Sequence, residues 1–334
     1  MTSSTTLSHR FCVAPMMDCT DRHCRAFHRI MTRQALLYTE MVTAAAVRFG
    51  RRGQLLAFSP CERPVALQLG GSQPEELALA AGIGEEFGYA EINLNCGCPS
   101  DRVQEGQFGA CLMADPWRVA ECVAAMREAV AIPVTVKCRT GIDDQEEDEP
   151  LDRFVAAVKR AGCRILIVHA RKAWLRGLSP RENRDLPPLN YERVYRLKRD
   201  HPDMEIILNG GIRSLAEAEA HLRHVDGVML GRAAYEQPFI LTEVDRRFFA
   251  AAVPAPARWQ IVAEYLPYIS GELARGTPLA QMTRHLSGLF HGQYGGRLFR
   301  RILSEESHKP GAAADILRLA LAVTAQPPSL VAAE

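Results

Sequence analysis

The chain has 334 residues, a formal net charge of +1, 47% hydrophobic residues and 24% charged ones. That is long enough for a large α/β domain plus an appendage, and ordinary for a globular protein. It excludes a disordered polycation, so any nucleic-acid surface has to be local. The ten cysteines (12, 19, 24, 61, 96, 98, 111, 122, 138 and 163) make no Cys-x-x-Cys pair, and no histidine pair stands at zinc spacing. No stretch approaches ~20 apolar residues, and the first ten residues have no apolar leader core. The expectation is therefore a cytoplasmic protein with free thiols, no metal, no membrane span and no obligatory protein partner.

In chain order, eight short apolar runs read as strands: 11–15, 36–40, 65–70, 90–95, 134–139, 165–170, 205–210 and 227–231. Several lack polar alternation, as parallel strands buried on both faces do. Helical stretches lie between them. Pro74, with Ser72 as a plausible cap, opens one through Phe87, and Asp115-Pro116 opens another through Val130. Others span 151–161, 191–200 and 215–223, the last with Ser214 and Glu217 placed as a capping box. Eight β-α repeats predict a (β/α)8 TIM barrel rather than an open doubly wound sheet, since no Gly-x-Gly-x-x-Gly follows the first strand. An acidic run at 143–152 reads as a solvated loop. A Pro/Ala linker at 250–257 then divides a catalytic domain, residues 1–250, from a helical bundle, residues 251–334. The bundle has helices expected at 259–271, 278–290 and 312–325.

In such a barrel, function sits at the C-terminal strand ends. These carry Pro15-Met16-Met17, Gln68-Leu69-Gly70, Asn95-Cys96-Gly97-Cys98-Pro99, Lys137-Cys138-Arg139, His169-Ala170-Arg171, Asn209-Gly210-Gly211 and Gly231-Arg232. The last two suit a phosphate, which backbone amides can approach closely at glycine. Met16 and Met17 can pack on a flat ring, and Gln68, Lys137 and His169 can bond its polar edge. Together these fit flavin mononucleotide. Lys137 also suits a Schiff-base role, and His169 a core histidine. Cys98, in a polar, glycine-rich loop, suits a mobile thiol reagent, whereas Cys96 reads as strand-end filling.

These strings, with Ala14–Asp18, Leu37–Thr43 and Ala170–Arg184, resemble the tRNA-dihydrouridine synthases, bacterial subfamily A, over essentially the whole chain. The resemblance implies reduction of uridines 20 and 20a in the tRNA D-loop. It implies FMN held by Pro15, Met16, Met17, Gln68, Lys137, His169, Asn209, Gly210, Gly211, Gly231 and Arg232, with NADPH as electron source. It implies Cys98 as proton donor, Asn95 and Arg139 near the target uracil, and Arg181, Arg184, Arg297 and Arg300 on the RNA. The family more often has an aliphatic residue at Cys96 and threonine at Cys138.

The charge pattern agrees with an RNA partner. Residues 171–199 hold nine Lys/Arg against three acids, and the tail holds Arg284, Arg297, Arg300, Arg301 and Lys309 against Glu305 and Glu306. Trp174 and Tyr294 are candidates for base stacking or for core packing. Two other classes stand beside this one: a small-molecule flavoenzyme of the dihydroorotate dehydrogenase kind, and a non-catalytic RNA-binding protein.

Overall fold

Runs of Val, Ile and Leu with no polar face have to be covered on both sides, and a closed parallel barrel ringed by helices does this. The computed structural model describes residues 7–252 and 254–324. Its barrel strands are β1 (Phe11–Val13), β2 (Leu36–Tyr38), β3 (Val65–Gly70), β4 (Glu91–Cys96), β5 (Val134–Arg139), β6 (Ile165–His169), β7 (Glu205–Asn209) and β8 (Gly227–Leu230). All neighbours pair in parallel, and β1 closes the circle by pairing with both β2 and β8. A two-residue strand, Val42–Thr43, rides on the end of β3. This is the expected TIM barrel.

The longer helices are α1 (Arg22–Met31), α2 (Pro74–Glu86), α3 (Pro116–Ala129), α4 (Glu149–Arg160), α5 (Tyr191–Asp200), α6 (Leu215–His221), α7 (Arg258–Ala274), α8 (Gly296–Glu306) and α9 (Asp315–Ala322). Their caps refine the sequence reading. Gln73, not Ser72, is the N-cap of α2, and it makes no side-chain cap bond; Pro74 alone sets the start. Asp115 caps α3 through the Arg118 N–H. Ser214 accepts from the Glu217 N–H, but the Glu217 carboxylate accepts from the Arg213 N–H instead of completing the box. The expected helix 278–290 is two pieces, Leu279–Thr283 and a 3-10 turn Arg284–Gly288. Expected helix 312–325 appears as α9, and Ala325 lies outside the described residues.

The acidic run is more than a solvated loop. Arg193 of α5 bonds the carbonyls of Glu147 and Asp148 and pairs with Asp152, and Arg196 pairs with Asp148. Asp143, at φ 46°, accepts from the Leu175 N–H at 2.7 Å.

The barrel interior has two chemistries. Cys12, Ala14, Leu36, Tyr38, Ala66, Ile167, Ile207 and Met229 form an apolar cluster. Elsewhere the inward positions are polar: Gln68 is level with Asn93, Asn93 with Thr135, and Asn95 with Lys137.

The chain forms two compact units. One holds the residues up to Thr20 with Gln34–Gly231; the other holds Asp21–Arg33 with the chain from Arg232 onward. The division therefore falls at 231/232 rather than at 250/251, and α1 joins the C-terminal helices. The reason is local packing. Phe27 of α1 lies on Tyr265 of α7 with ring centroids 5.4 Å apart, the Tyr265 hydroxyl donates to the His23 carbonyl at 2.9 Å, and Arg22 pairs with buried Glu272. Among the described residues no helix is long and apolar enough to cross a membrane.

Candidate active site

Strand register assembles the rim. Arg139, His169, Asn209 and Met229 are successive neighbours on β5 to β8, and Lys137 stands beside Asn95. In the first unit the structure thus brings Gln68, Asn95, Lys137, Arg139, His169 and Asn209 to one end of the barrel, where their spacing in sequence had only implied proximity.

Among the described residues, neither Lys137 nor His169 has a side-chain hydrogen bond or ion pair. Burial first, then the Arg139 charge, pulls the Lys137 ammonium down to about 8. Burial also holds His169 well below the usual imidazole range, helped by Arg139, Lys137, Arg171 and Arg184, so its ring is neutral at neutral pH. A half-buried ammonium with no counter-charge costs free energy unless an acceptor arrives. The pair suits a bound group rich in carbonyl oxygens.

The glycines just after β7 are required by shape. Gly210 and Gly211 have φ of 108° and 72°, where other residues are strained. A Cβ on Gly210 would lie 2.5 Å from the His169 ring. Asn209 donates to the Met229 carbonyl at 2.8 Å, and Tyr191 donates to the Gly210 carbonyl at 2.9 Å. At Gly231 a Cβ would meet the Met16 sulfur at 3.5 Å, so Met16 lies close by; Pro15 is half-buried and Met17 is 56% exposed. Arg232 opens the short helix Arg232–Glu236 in the second unit.

The Cys98 loop is tethered rather than loose. Asn95 Oδ1 accepts from the N–H groups of Gly97 at 2.9 Å and Cys98 at 3.0 Å. Arg139 Nε donates to the Gly97 carbonyl at 2.9 Å, and the Ala110 N–H donates to the Cys98 carbonyl at 2.9 Å. Among the described residues, Cys98 Sγ itself has one polar neighbour, Ser100 Oγ at 3.4 Å. Arg139 is buried and also donates to the carbonyls of Lys172 and Asn183, both at 2.9 Å. One guanidinium therefore ties three loop segments together. Gln104 adds a fourth tie by donating to Pro99 and Leu175 carbonyls, each at 2.8 Å. Sequence reasoning missed both Gln104 and Asn183, because their partners are backbone atoms that leave no motif.

Ion pairing separates the basic residues. On α5, Arg193 and Arg196 serve the acidic run, Lys198 pairs with Asp226 and Arg199 with Glu192. Arg171 bonds the carbonyls of Asp185 and Pro187. That leaves Lys172, Arg176, Arg181 and Arg184 without ion pairs among the described residues, all within one loop of the first unit. In the second unit, Arg284 pairs with Asp21 and Lys309 with Glu306, whereas Arg297, Arg300 and Arg301 of α8 are exposed and unpaired. Tyr294, just before α8, is 56% exposed and so is not a core residue.

A parallel barrel with an amide-held thiol loop at its C-terminal rim defines a class of barrel enzyme. Residues 12–325 match the dihydrouridine synthase (Dus) family, and the chain belongs to it. It is similar to the tRNA-dihydrouridine(20/20a) synthase of Vibrio cholerae, at 57% identity over 95% of this chain and 97% of that protein. The proteins of that name from Xanthomonas axonopodis and Escherichia coli are 55% and 56% identical, over 96% and 95% of this chain and 96% of each of those proteins. Among solved structures, morphinone reductase shares the barrel fold, at a TM-score of 0.51, 14% identity, and 75% of this chain against 88% of that one.

Proposed function

We propose that this chain is a cytoplasmic tRNA-dihydrouridine(20/20a) synthase, using FMN and NADPH to reduce uridine to 5,6-dihydrouridine in the tRNA D-loop. Likeness above half identity over nearly the full length of relatives with that name supports the substrate. The observation that carries the chemistry is Cys98, its peptide fixed by Asn95 and Arg139 beside the unpartnered Lys137 and His169.

The donor set fits a flavin. Lys137 Nζ, the His169 ring and one unused N–H of Gln68 would meet its carbonyl-rich edge; Met16, Met17 and Pro15 would lie on the ring; Asn209, Gly210, Gly211, Gly231 and Arg232 would take the phosphate. Bound and reduced, FMN would supply the hydride that uracil accepts at one carbon of its C5–C6 double bond. Cys98 Sγ–H gives the proton to the other carbon, completing the two-electron reduction. Asn95 and Arg139 hold the backbone that carries this thiol. Arg181 and Arg184 of the barrel unit, and Arg297 and Arg300 of the helical unit, contact the tRNA backbone. Their contacts offset the few kcal/mol needed to unstack the target base.

Purified protein supplied with FMN, NADPH and an unmodified tRNA transcript should give dihydrouridine at positions 20 and 20a, read by nuclease digestion and mass spectrometry. Turnover of orotate or free uracil with tRNA untouched would replace this reading with a small-molecule reductase. A flavin-free protein that binds tRNA and leaves it unchanged would point to a non-catalytic binder.

A further inference from the structure

Below the rim, the polar inward positions of β3, β4 and β5 join into one hydrogen-bonded column. Glu91 stands at its base, fully buried, and accepts from the Tyr38 hydroxyl at 2.7 Å and from the Thr135 hydroxyl at 2.6 Å; its other oxygen meets His9 Nε2 at 2.5 Å. Asn93 Nδ2 donates to Thr135 Oγ1 at 2.8 Å, Gln68 Nε2 to Asn93 Oδ1 at 2.8 Å, and Asn95 Nδ2 to Gln68 Oε1 at 2.8 Å. Asn95 Oδ1 then accepts the Gly97 and Cys98 N–H groups.

The direction of every member follows from its base. Glu91 Oε1 accepts the Thr135 hydroxyl, so Thr135 turns its hydrogen toward Glu91. Its oxygen is then the acceptor for Asn93, whose carbonyl is forced toward Gln68. The Gln68 carbonyl in turn faces Asn95, and the Asn95 carbonyl faces the loop. Reversing any one amide sets two donors or two acceptors against each other in a site with almost no water contact, since Gln68 is 1% exposed and Asn93 and Thr135 are wholly buried. The amides keep their protons, so the column transmits orientation and no proton.

We propose that this Glu91–Thr135–Asn93–Gln68–Asn95 column is a positioning device for the reaction. It holds the Asn95 carbonyl toward the Cys98 N–H and so fixes where the thiol stands. It also leaves Gln68 and Asn95 each with one side-chain N–H that no group among the described residues takes. Thr135 is the key link: it bonds neither the thiol nor the proposed ligand groups of the rim, yet among the described residues it alone connects the carboxylate to the amides. This proposal rests on Cys98 as the proton donor.

The test is Thr135→Val, which keeps the shape of the side chain and removes both bonds, with Thr135→Ser as the conservative rescue. Tyr38→Phe is the control, because it removes a donor to Glu91 outside the column. Two readouts are needed. One is the rate of Cys98 alkylation by iodoacetamide in the unliganded protein, followed by peptide mass spectrometry. The other is the single-turnover rate of uridine reduction by the flavin-loaded, pre-reduced enzyme, with KM for tRNA. Thr135→Val should raise the alkylation rate at least threefold and lower the reduction rate about tenfold at unchanged KM, while Thr135→Ser and Tyr38→Phe stay within twofold of the parent. If Thr135→Val does not fold, as judged by its melting curve, Thr135→Ala serves in its place. Parent-like alkylation and reduction in the folded variant overturn the proposal, as does a loss that serine does not restore. The alkylation readout separates the two readings: a protein inert toward tRNA whose Cys98 still responds to Thr135→Val keeps the column and loses the proposed function.

Discussion

In the proposed site, Lys137 and Cys98 have different surroundings. Lys137 is an ammonium kept short of acceptors, with burial drawing it to about 8, while Cys98 is held by bonds to its N–H and its carbonyl, its sulfur meeting Ser100 Oγ. The expected consequence is separable defects. Cys98→Ala should bind flavin and tRNA as the parent does and lose ~10²–10⁴-fold in the rate of uridine reduction, the usual size of a general-acid contribution, measured in single turnovers with pre-reduced enzyme. A parent-like rate would remove the thiol from the chemistry. The rim position of both was legible in the sequence, Lys137 on an apolar strand and Cys98 in the loop just after one. Arg139 was legible as a rim residue, but its engagement with the carbonyls of Gly97, Lys172 and Asn183 was not. Those acceptors lie on loops whose convergence depends on the folded barrel.

At the scale of elements, α8 presents Arg297, Arg300 and Arg301 at spacings of three and four residues, so they share one exposed face, with Phe299 and Leu303 buried on the other. Nothing in the second unit neutralises these three among the described residues. Arg297→Ala should therefore weaken tRNA binding and reduce the slope of log Kd against log salt by about one phosphate contact. An unchanged slope would mean the guanidinium touches no phosphate. The arginines were visible in the sequence, but the helix was not, because Gly295-Gly296 at its start reads as a turn, and Gly295 does sit at φ 69°. α1 escaped notice for the opposite reason. His23, Arg25, His28 and Arg29 give it a polar composition, yet all four are buried. Burial holds His23 near 4 and His28 near 3, so both rings are uncharged inside the helical unit at neutral pH. Strands β3 and β5, in contrast, fall on the residues the apolar runs indicated, since short apolar runs of that length leave little competing structure there.

At the scale of the whole molecule, the barrel carries a pH limit at the end away from its site. His9 is buried between Glu91 and Glu205, at 2.5 and 3.2 Å. Burial opposes its charge, but the two carboxylates outweigh it and raise it from 6.5 to about 9. A folded value above the unfolded one stabilises the protein fully below about 6.5, and the contribution fades as pH rises through about 9. By proton linkage, a rise of that size is worth on the order of 3 kcal/mol in all. The Tm should fall between pH 7 and 9.5 more steeply in the parent than in His9→Gln; parallel curves would show that the imidazolium adds nothing. The division of the chain has a further consequence, in the order of synthesis. α1 belongs with α7, yet the ribosome delivers it before all but the first barrel strand. At ~5–20 residues per second, α1 waits about 10–45 s for the partner that covers its face. During that interval its buried arginines and Phe27 have no native neighbours from the C-terminal segment, so chaperone capture or misdocking falls in this window. A protein cut at the linker would leave α1 in that state permanently.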